Sequence, residues 1–209
     1  MLRSALTIGA LLLGSGAAIA APDQTIPLGP GSYIYWTSAY EGGSDRYQEQ
    51  LIAQLDDVQL FKTMNEYSEG DESDYFVLFS GIYFTLCDTE MPTVDERNAL
   101  SNLWPLTPGA VVEIKSGDGA KIEVEEPMQY FLMGRTHPAH AVSGTYYGDE
   151  ESSEVLTVLD DVKITVGIHW DEGSKDSALL VTKPNAVAST EVDTDLIGTC
   201  ADLWNTETE

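Results

Sequence analysis

The longest unbroken apolar stretch after the N-terminus runs from Tyr75 to Cys87 and reads YFVLFSGIYFTLC. It carries no charge, is rich in aromatic residues, and ends on a cysteine. A membrane-spanning helix needs about 20 apolar residues, so this stretch is too short to cross a bilayer. Unbroken apolar stretches of this length are typical of strands that are buried on both faces, and a glycine inside one marks a bend or bulge. We therefore predict a fully buried strand over 75–87, bent at Gly81, at the centre of the fold.

Alternation of apolar and polar residues predicts further strands on both sides of this stretch. The clearest hairpin joins residues 111–115 to 121–125, with the turn at Gly117-Asp118-Gly119. Aromatic residues indicate a strand over 32–40, and strict alternation indicates another over 162–170, with a return strand from 177 to 183. Residues 58–64 and 128–133 are predicted as strands as well.

Two short helices are predicted between these strands. Tyr47, Leu51, Ile52 and Leu55 have the spacing of one helical face, so a helix is expected from about residue 45 to residue 56. Thr93 and Glu96 have the spacing of a capping box, so a second helix is expected to begin there and to end before Pro105.

Many strands and only two short helices predict a mainly β (α+β) fold, built as an antiparallel sandwich or an open barrel. The expected organisation is a signal peptide over 1–20, an extended lead-in over 21–31, a single β-rich domain over 32–183 and a polar C-terminal tail over 184–209. The signal-peptide prediction rests on Arg3, the apolar residues 5–13 and the Ala18-Ile19-Ala20 cleavage pattern. It predicts an exported bacterial protein, and leaves periplasmic and extracellular locations open.

The two cysteines, Cys87 and Cys200, are expected to form one disulfide, as cysteine pairs in exported proteins usually do. The bond would tie the C-terminal tail to the end of the central strand. A redox thiol or a metal ligand is the alternative, but neither cysteine belongs to a CxxC motif.

The charge balance excludes some partners. Asp and Glu together number 35 against 10 Lys and Arg, which gives a net charge of −25. Such a chain repels nucleic acids and anionic membrane surfaces. Cations, metal ions or a basic partner fit this charge, and solubility alone also accounts for it.

Three histidines are the first candidate for a metal site. His137 and His140 lie three residues apart, and His169 lies on a predicted strand beside Asp171. If they converged they could hold zinc or copper, and otherwise they are ordinary surface or hydrogen-bonding residues. Acidic loops at 69–74, 148–151 and 191–195 are candidates for calcium, although none matches the EF-hand pattern.

The strand aromatics are the last candidate site. Tyr33 and Tyr35 should share one face of their strand, and Ile34 and Trp36 the other. Tyr33, Tyr35 or Trp36 could stack on a sugar or a peptide if they line an exposed concave surface, and otherwise they pack in the core.

No nucleophile motif, Walker loop or GxGxxG pattern is present. The sequence therefore favours a non-catalytic binding or envelope-accessory protein without a cofactor. The partner would be a protein or a small molecule. The alternatives are a metal-binding protein or metal-dependent enzyme using the three histidines, and a carbohydrate or peptide binder using the aromatics.

Overall fold

The computed structural model describes residues 26, 28–64, 74–148, 152–182, 192, 195 and 197–204. The predicted signal peptide over 1–20 lies outside these residues, as does most of the predicted lead-in and tail. Within the described residues, eleven strands form one antiparallel sheet that curls into a half-barrel. The mainly β fold and the open curled sheet expected from the sequence are confirmed, and the described residues include two short helices, of which only the first lies where a helix is predicted.

The strands lie in the order β5-β4-β3-β2-β1-β11-β10-β9-β8-β7-β6. Their bounds are β1 Tyr33–Tyr40, β2 Gly43–Leu55, β3 Val58–Met64, β4 Tyr75–Phe79, β5 Tyr83–Leu86, β6 Val111–Ile114, β7 Ala120–Leu132, β8 Arg135–Tyr146, β9 Ser152–Leu159, β10 Ile164–Trp170 and β11 Lys175–Val181. Helix α1 spans Val94–Ser101, and helix α2 spans Ala201–Trp204 after a 3-10 turn at Gly198–Cys200.

The sheet curls until its β5 edge approaches the C-terminal end of β8. The rings of Tyr83 on β5 and Tyr146 on β8 stack with their centroids 6.3 Å apart. The β4–β5 turn also meets the β9–β10 turn, where Thr165 donates a hydrogen bond to the Gly81 carbonyl. Side chains on the inner face of β1 and β2 are thereby enclosed by strands from the other half of the sheet.

The central stretch is buried as predicted, but it is a hairpin and not one bent strand. Ser80 and Gly81 both have positive φ and reverse the chain between β4 and β5. Glycine is required at position 81, because a Cβ there would collide with the backbone of Lys163. The single strand predicted over 75–87 is therefore corrected to a pair of strands, both rich in apolar residues.

The helix predicted over residues 45–56 is wrong, because these residues form β2. Gly42 has a φ of 101° and returns the chain directly against β1. In β2, Tyr47 and Leu51 point to the same face of the strand. The pairing with β3 shifts its register between Leu51 and Ala53, so the side chains after Leu51 do not continue a simple alternation. Hairpin pairing therefore prevails over the helical pattern.

Other local predictions hold. Strands β6 and β7 form the predicted hairpin. Helix α1 begins with the predicted capping box, in which Thr93 and Glu96 bond each other's backbone amides. Cys87 and Cys200 form the predicted disulfide, which ties the C-terminal segment beside β5.

Two hydrophobic clusters fill the fold. Strands β3 and β4 lie between them, because successive side chains of these strands point alternately into one cluster and the other. Leu60, Val77 and Phe79 face the helix-side cluster, which also contains Leu100 of α1, Leu203 of α2 and the disulfide. Phe61 and Leu78 face the pocket-side cluster, which also contains Ile34 and Trp36 of β1 and Ile164 of β10. Burial of both faces explains why the central stretch is apolar throughout.

Candidate functional site

A partly open pocket of about 250 Å³ lies within the pocket-side cluster. One wall comes from β1 to β5 and the other from β10 and β11. Most of its surface is apolar, and its described lining residues are Ile34, Trp36, Tyr47, Glu49, Phe61, Thr63, Phe76, Leu78, Phe84, Leu86, Ile164, Thr165, Ile168, Trp170 and Asp176. Concave apolar surfaces with a few polar groups are the usual form of small-molecule sites.

Strand register brings the aromatic and acidic residues of the pocket together. Trp36 pairs with Tyr47 across β1 and β2, and their rings stack with centroids 6.0 Å apart. Glu49 lies two residues beyond Tyr47, so both side chains point to the same face of β2. Asp176 on β11 reaches the same face, and the Tyr47 hydroxyl donates to its Oδ2 over 2.9 Å.

Glu49 is an acid in an apolar environment. The Trp36 Nε1 donates a hydrogen bond of 2.8 Å to Glu49 Oε2. Burial raises the pKa of the Glu49 carboxyl to about 8, and the negative charge of Asp176 adds to this rise. The hydrogen bond from Trp36 acts in the opposite direction. The pocket therefore favours the neutral form of the Glu49 carboxyl more than water does.

Asp176 has one oxygen that no hydrogen bond satisfies. Its Oδ2 accepts from Tyr47, whereas its Oδ1 is buried and has no partner among the described residues. Burial, together with the charges of Glu49 and Asp176, raises the pKa of Tyr47, so this hydroxyl stays protonated and remains a donor. Asp176, which lines the pocket, thus retains an acceptor without a partner among the described residues.

The pocket lining combines apolar side chains with a few polar groups. No Ser, Cys, His or Lys occurs among the lining residues that the structure describes. What the pocket provides is apolar area, aromatic rings and two carboxyl groups. An apolar molecule with a hydrogen-bond donor would pack against the apolar area and the rings and donate to a carboxyl group.

The three aromatics predicted as ligand-binding residues separate onto two faces. Trp36 is buried and lines the pocket, whereas Tyr33 and Tyr35 face outward with ring centroids 6.5 Å apart. The separation follows the predicted alternation of β1. Of the three, Trp36 is the one on a concave surface.

The three predicted metal-binding histidines do not converge. Nδ1 of His140 lies 2.8 Å from Asp160 Oδ1, and Nδ1 of the buried His137 lies 3.6 Å from Asp161 Oδ2. His169 is exposed on β10, which is separated from β8 by β9. It pairs with Val155 of β9, which pairs in turn with Ser143 of β8, three residues beyond His140. Among the described residues no group of three or more His, Cys, Asp or Glu could hold a metal ion. The described residues therefore do not bring the three histidines together, because His137 and His140 lie on β8 and His169 lies on β10, and spacing within one strand does not control a residue on another.

The acidic loops at 69–74, 148–151 and 191–195, predicted as calcium candidates, lie almost entirely outside the described residues. Within the described part of the chain, no helix is both long and apolar enough to cross a bilayer.

Sequence reasoning missed Tyr47, Glu49 and Asp176. A signal was present for Tyr47 alone, because Tyr47 and Leu51 have the same parity in a strand, whereas the acidic Glu49 between them breaks the apolar alternation. Asp176 gave no signal, since it lies in a polar segment among many other acids.

No protein-family model matches this chain, and a search of curated proteins finds no match. Among solved structures, a hypothetical lipoprotein, YmcC from Escherichia coli K12, has 13% identity and a TM-score of 0.44, covering 78% of this chain and 92% of that one. An exported protein with YmcC-like fold from Bacteroides fragilis has 11% identity and a TM-score of 0.40, covering 76% of this chain and 98% of that one. MucB in the MucA/MucB complex of Pseudomonas aeruginosa has 8% identity and a TM-score of 0.36, covering 78% of this chain and 56% of that one. With TM-scores this low, the function of this chain has to be argued from its own residues.

Proposed function

We propose that this chain is an exported, non-catalytic bacterial protein that binds a small apolar molecule in the pocket of its half-barrel. The observation that carries the proposal is the pocket of about 250 Å³ between β1–β5 and β10–β11. If each water-sized group occupies about 30 Å³, this volume holds roughly eight such groups. The expected ligand is therefore about the size of one aromatic ring with a short side chain.

Export is supported by two independent features. Residues 1–20 have the charge, apolar length and cleavage pattern of a signal peptide. The disulfide between Cys87 and Cys200 fits an oxidising compartment, where such bonds persist.

The apolar lining favours a binding role because large exposed aromatic pockets are costly without an occupant. Phe76 and Phe84 from the β4–β5 hairpin contact each other edge to face at this site. Together with Trp36 and Trp170 they present rings from both walls. Burial of a ligand ring against them would be favourable by about 25 cal/mol for each Å² removed from water.

The experiment measures binding of 2-phenylethanol, an uncharged probe of the expected size, by calorimetry or ligand-observed NMR. Leu86 and Leu180 form a matched pair of strand leucines, because they are 42% and 43% exposed, and only Leu86 lines the pocket. We expect wild type and Leu180→Trp to bind the probe and Leu86→Trp to lose it, since the larger ring fills the mouth. Absence of binding by the wild type, or equal binding by both variants, would contradict the proposal.

A further inference from the structure

The pocket contains a buried acceptor that the protein leaves without a partner. Asp176 is 9% exposed, and its Oδ1 has no hydrogen-bond partner among the described residues. Buried polar atoms in native proteins are nearly always paired, because an unpaired one loses its hydration without compensation. A donor from outside the chain would complete this carboxylate.

The pocket also holds two acids and no base. Glu49 and Asp176 both line it, and its described lining includes no Lys, Arg or His. The Glu49 carboxyl is bonded by the uncharged Trp36 indole, and Asp176 by the uncharged Tyr47 hydroxyl. The acids therefore lack a countercharge within the pocket.

Aromatic faces accompany these acids. Trp36 and Tyr47, the two donors, stack in parallel with an angle of 5° between their planes. Tryptophan and tyrosine rings attract cations through their quadrupoles. The net charge of −25 acts in the same direction over longer range, since it raises the local concentration of cations.

From these observations we propose that the ligand is a small apolar amine, bound as its cation with the ammonium group at Asp176 and Glu49 and the apolar body against the aromatic walls. An ammonium group has three donors and no acceptor, so it matches a pocket end that contains acceptors. An anionic molecule, such as a carboxylate of the same size, would face the charge of Asp176 and is disfavoured by repulsion. This inference rests on the proposed function, because it names the class of molecule that the same pocket binds.

The test compares three probes with one apolar body: 2-phenylethylamine, 2-phenylethanol and phenylacetate. Calorimetry on the wild type should show the amine binding at least about tenfold more tightly than the alcohol, with phenylacetate the weakest. Asp176→Asn should reduce the affinity for the amine to that for the alcohol and leave the alcohol unchanged. Glu49→Gln should weaken the amine in the same direction, and the inference is judged on it if Asp176→Asn does not fold.

Glu126→Gln is the matched control, because Glu126 is exposed on β7 outside the pocket and its substitution changes the net charge equally. This variant should keep the preference for the amine. If wild type binds the amine and the alcohol equally, or if Glu126→Gln removes the preference as fully as Asp176→Asn, the inference is wrong while the apolar pocket stands. If no probe binds, both the inference and the proposed function fail.

Discussion

The helix-side and pocket-side clusters share β3 and β4 yet differ in how completely they are closed. On the helix side, α1, α2 and the Cys87–Cys200 disulfide cover the apolar surface. On the pocket side, no helix of the described chain belongs to the cluster, and a space of about 250 Å³ is left between the strands. The helix-side cluster is therefore closed, whereas the pocket-side cluster leaves part of its volume unfilled by side chains.

A tryptophan on each side shows the same contrast in polar groups. On the helix side, Trp104 Nε1 donates to the Ser80 carbonyl, an acceptor that cannot change its charge. On the pocket side, Trp36 Nε1 donates to Glu49, whose charge depends on pH and on any ligand. The pocket-side cluster therefore retains a titratable group where a closed core would have an uncharged one.

The largest loss of stability is expected when the disulfide that covers the helix-side cluster is removed. The double variant Cys87→Ser/Cys200→Ser opens a loop whose ends are 113 residues apart. Loop-closure entropy predicts a loss of about 4–5 kcal/mol in the free energy of unfolding, measured by urea denaturation. Wild type unfolded in the presence of reductant is the control and should lose a similar amount. A loss below about 1 kcal/mol would mean that the disulfide does not close this cluster.

A matched pair of leucines compares the packing of the two clusters directly. Leu100 is fully buried in the helix-side cluster, and Leu78 is 4% exposed in the pocket-side cluster and lines the pocket. Leu100→Ala should lower the free energy of unfolding by about 3–5 kcal/mol, because it leaves a closed cavity.

Leu78→Ala should cost less, about 2 kcal/mol, because it widens a space that is already partly open and so loses mainly the transfer free energy. Urea denaturation of both variants under one condition gives the comparison. Equal costs, or a larger cost at Leu78, would contradict the view that the pocket-side cluster is incompletely packed.

Features that depend on neighbours in sequence were predictable. The β6–β7 hairpin, the alternation of β1 and the capping box at Thr93 each involve residues within a few positions of one another. The distant partners of Glu96 were not predictable: it also accepts the backbone amides of Lys115 and Ser116. Although burial alone would raise its pKa, the bonds from Ser116, Lys115 and Thr93 lower the pKa of Glu96 to about 2.

Features that depend on the curl of the sheet could not be predicted. Glu49 and Asp176 are 127 residues apart in sequence and meet because β1 lies between β2 and β11. Among 35 acids, nothing local distinguishes these two from solvated ones. The same limit explains the three histidines, since the spacing of His137 and His140 says nothing about His169 on another strand. Strand order, and not composition, assembles the site.

The two clusters should also differ in how their buried acids respond to pH. Burial raises the pKa of Glu49 on the pocket side to about 8. It raises the pKa of Glu154 to about 7, and Glu154 accepts a hydrogen bond from Tyr146, which packs against the helix-side cluster. The ordinary value in the unfolded chain is 4.5, so the folded protein binds protons more tightly at both positions. Their contributions to stability are therefore fully present below about pH 4.5 and are lost as the pH rises through the folded pKa values.

Glu49→Gln tests this difference, because glutamine keeps an acceptor for Trp36 and stays neutral at every pH. Compared with wild type, the variant should be equally stable near pH 5 and more stable by on the order of 2 kcal/mol near pH 8. Glu154→Gln should show the same sign with a smaller gain, since its folded pKa is lower. Glu126→Gln, at an exposed position, should follow the wild-type profile. If urea titrations show Glu49→Gln falling in parallel with wild type from pH 5 to pH 8, the carboxyl is solvated in solution and the pocket is less enclosed than its geometry indicates.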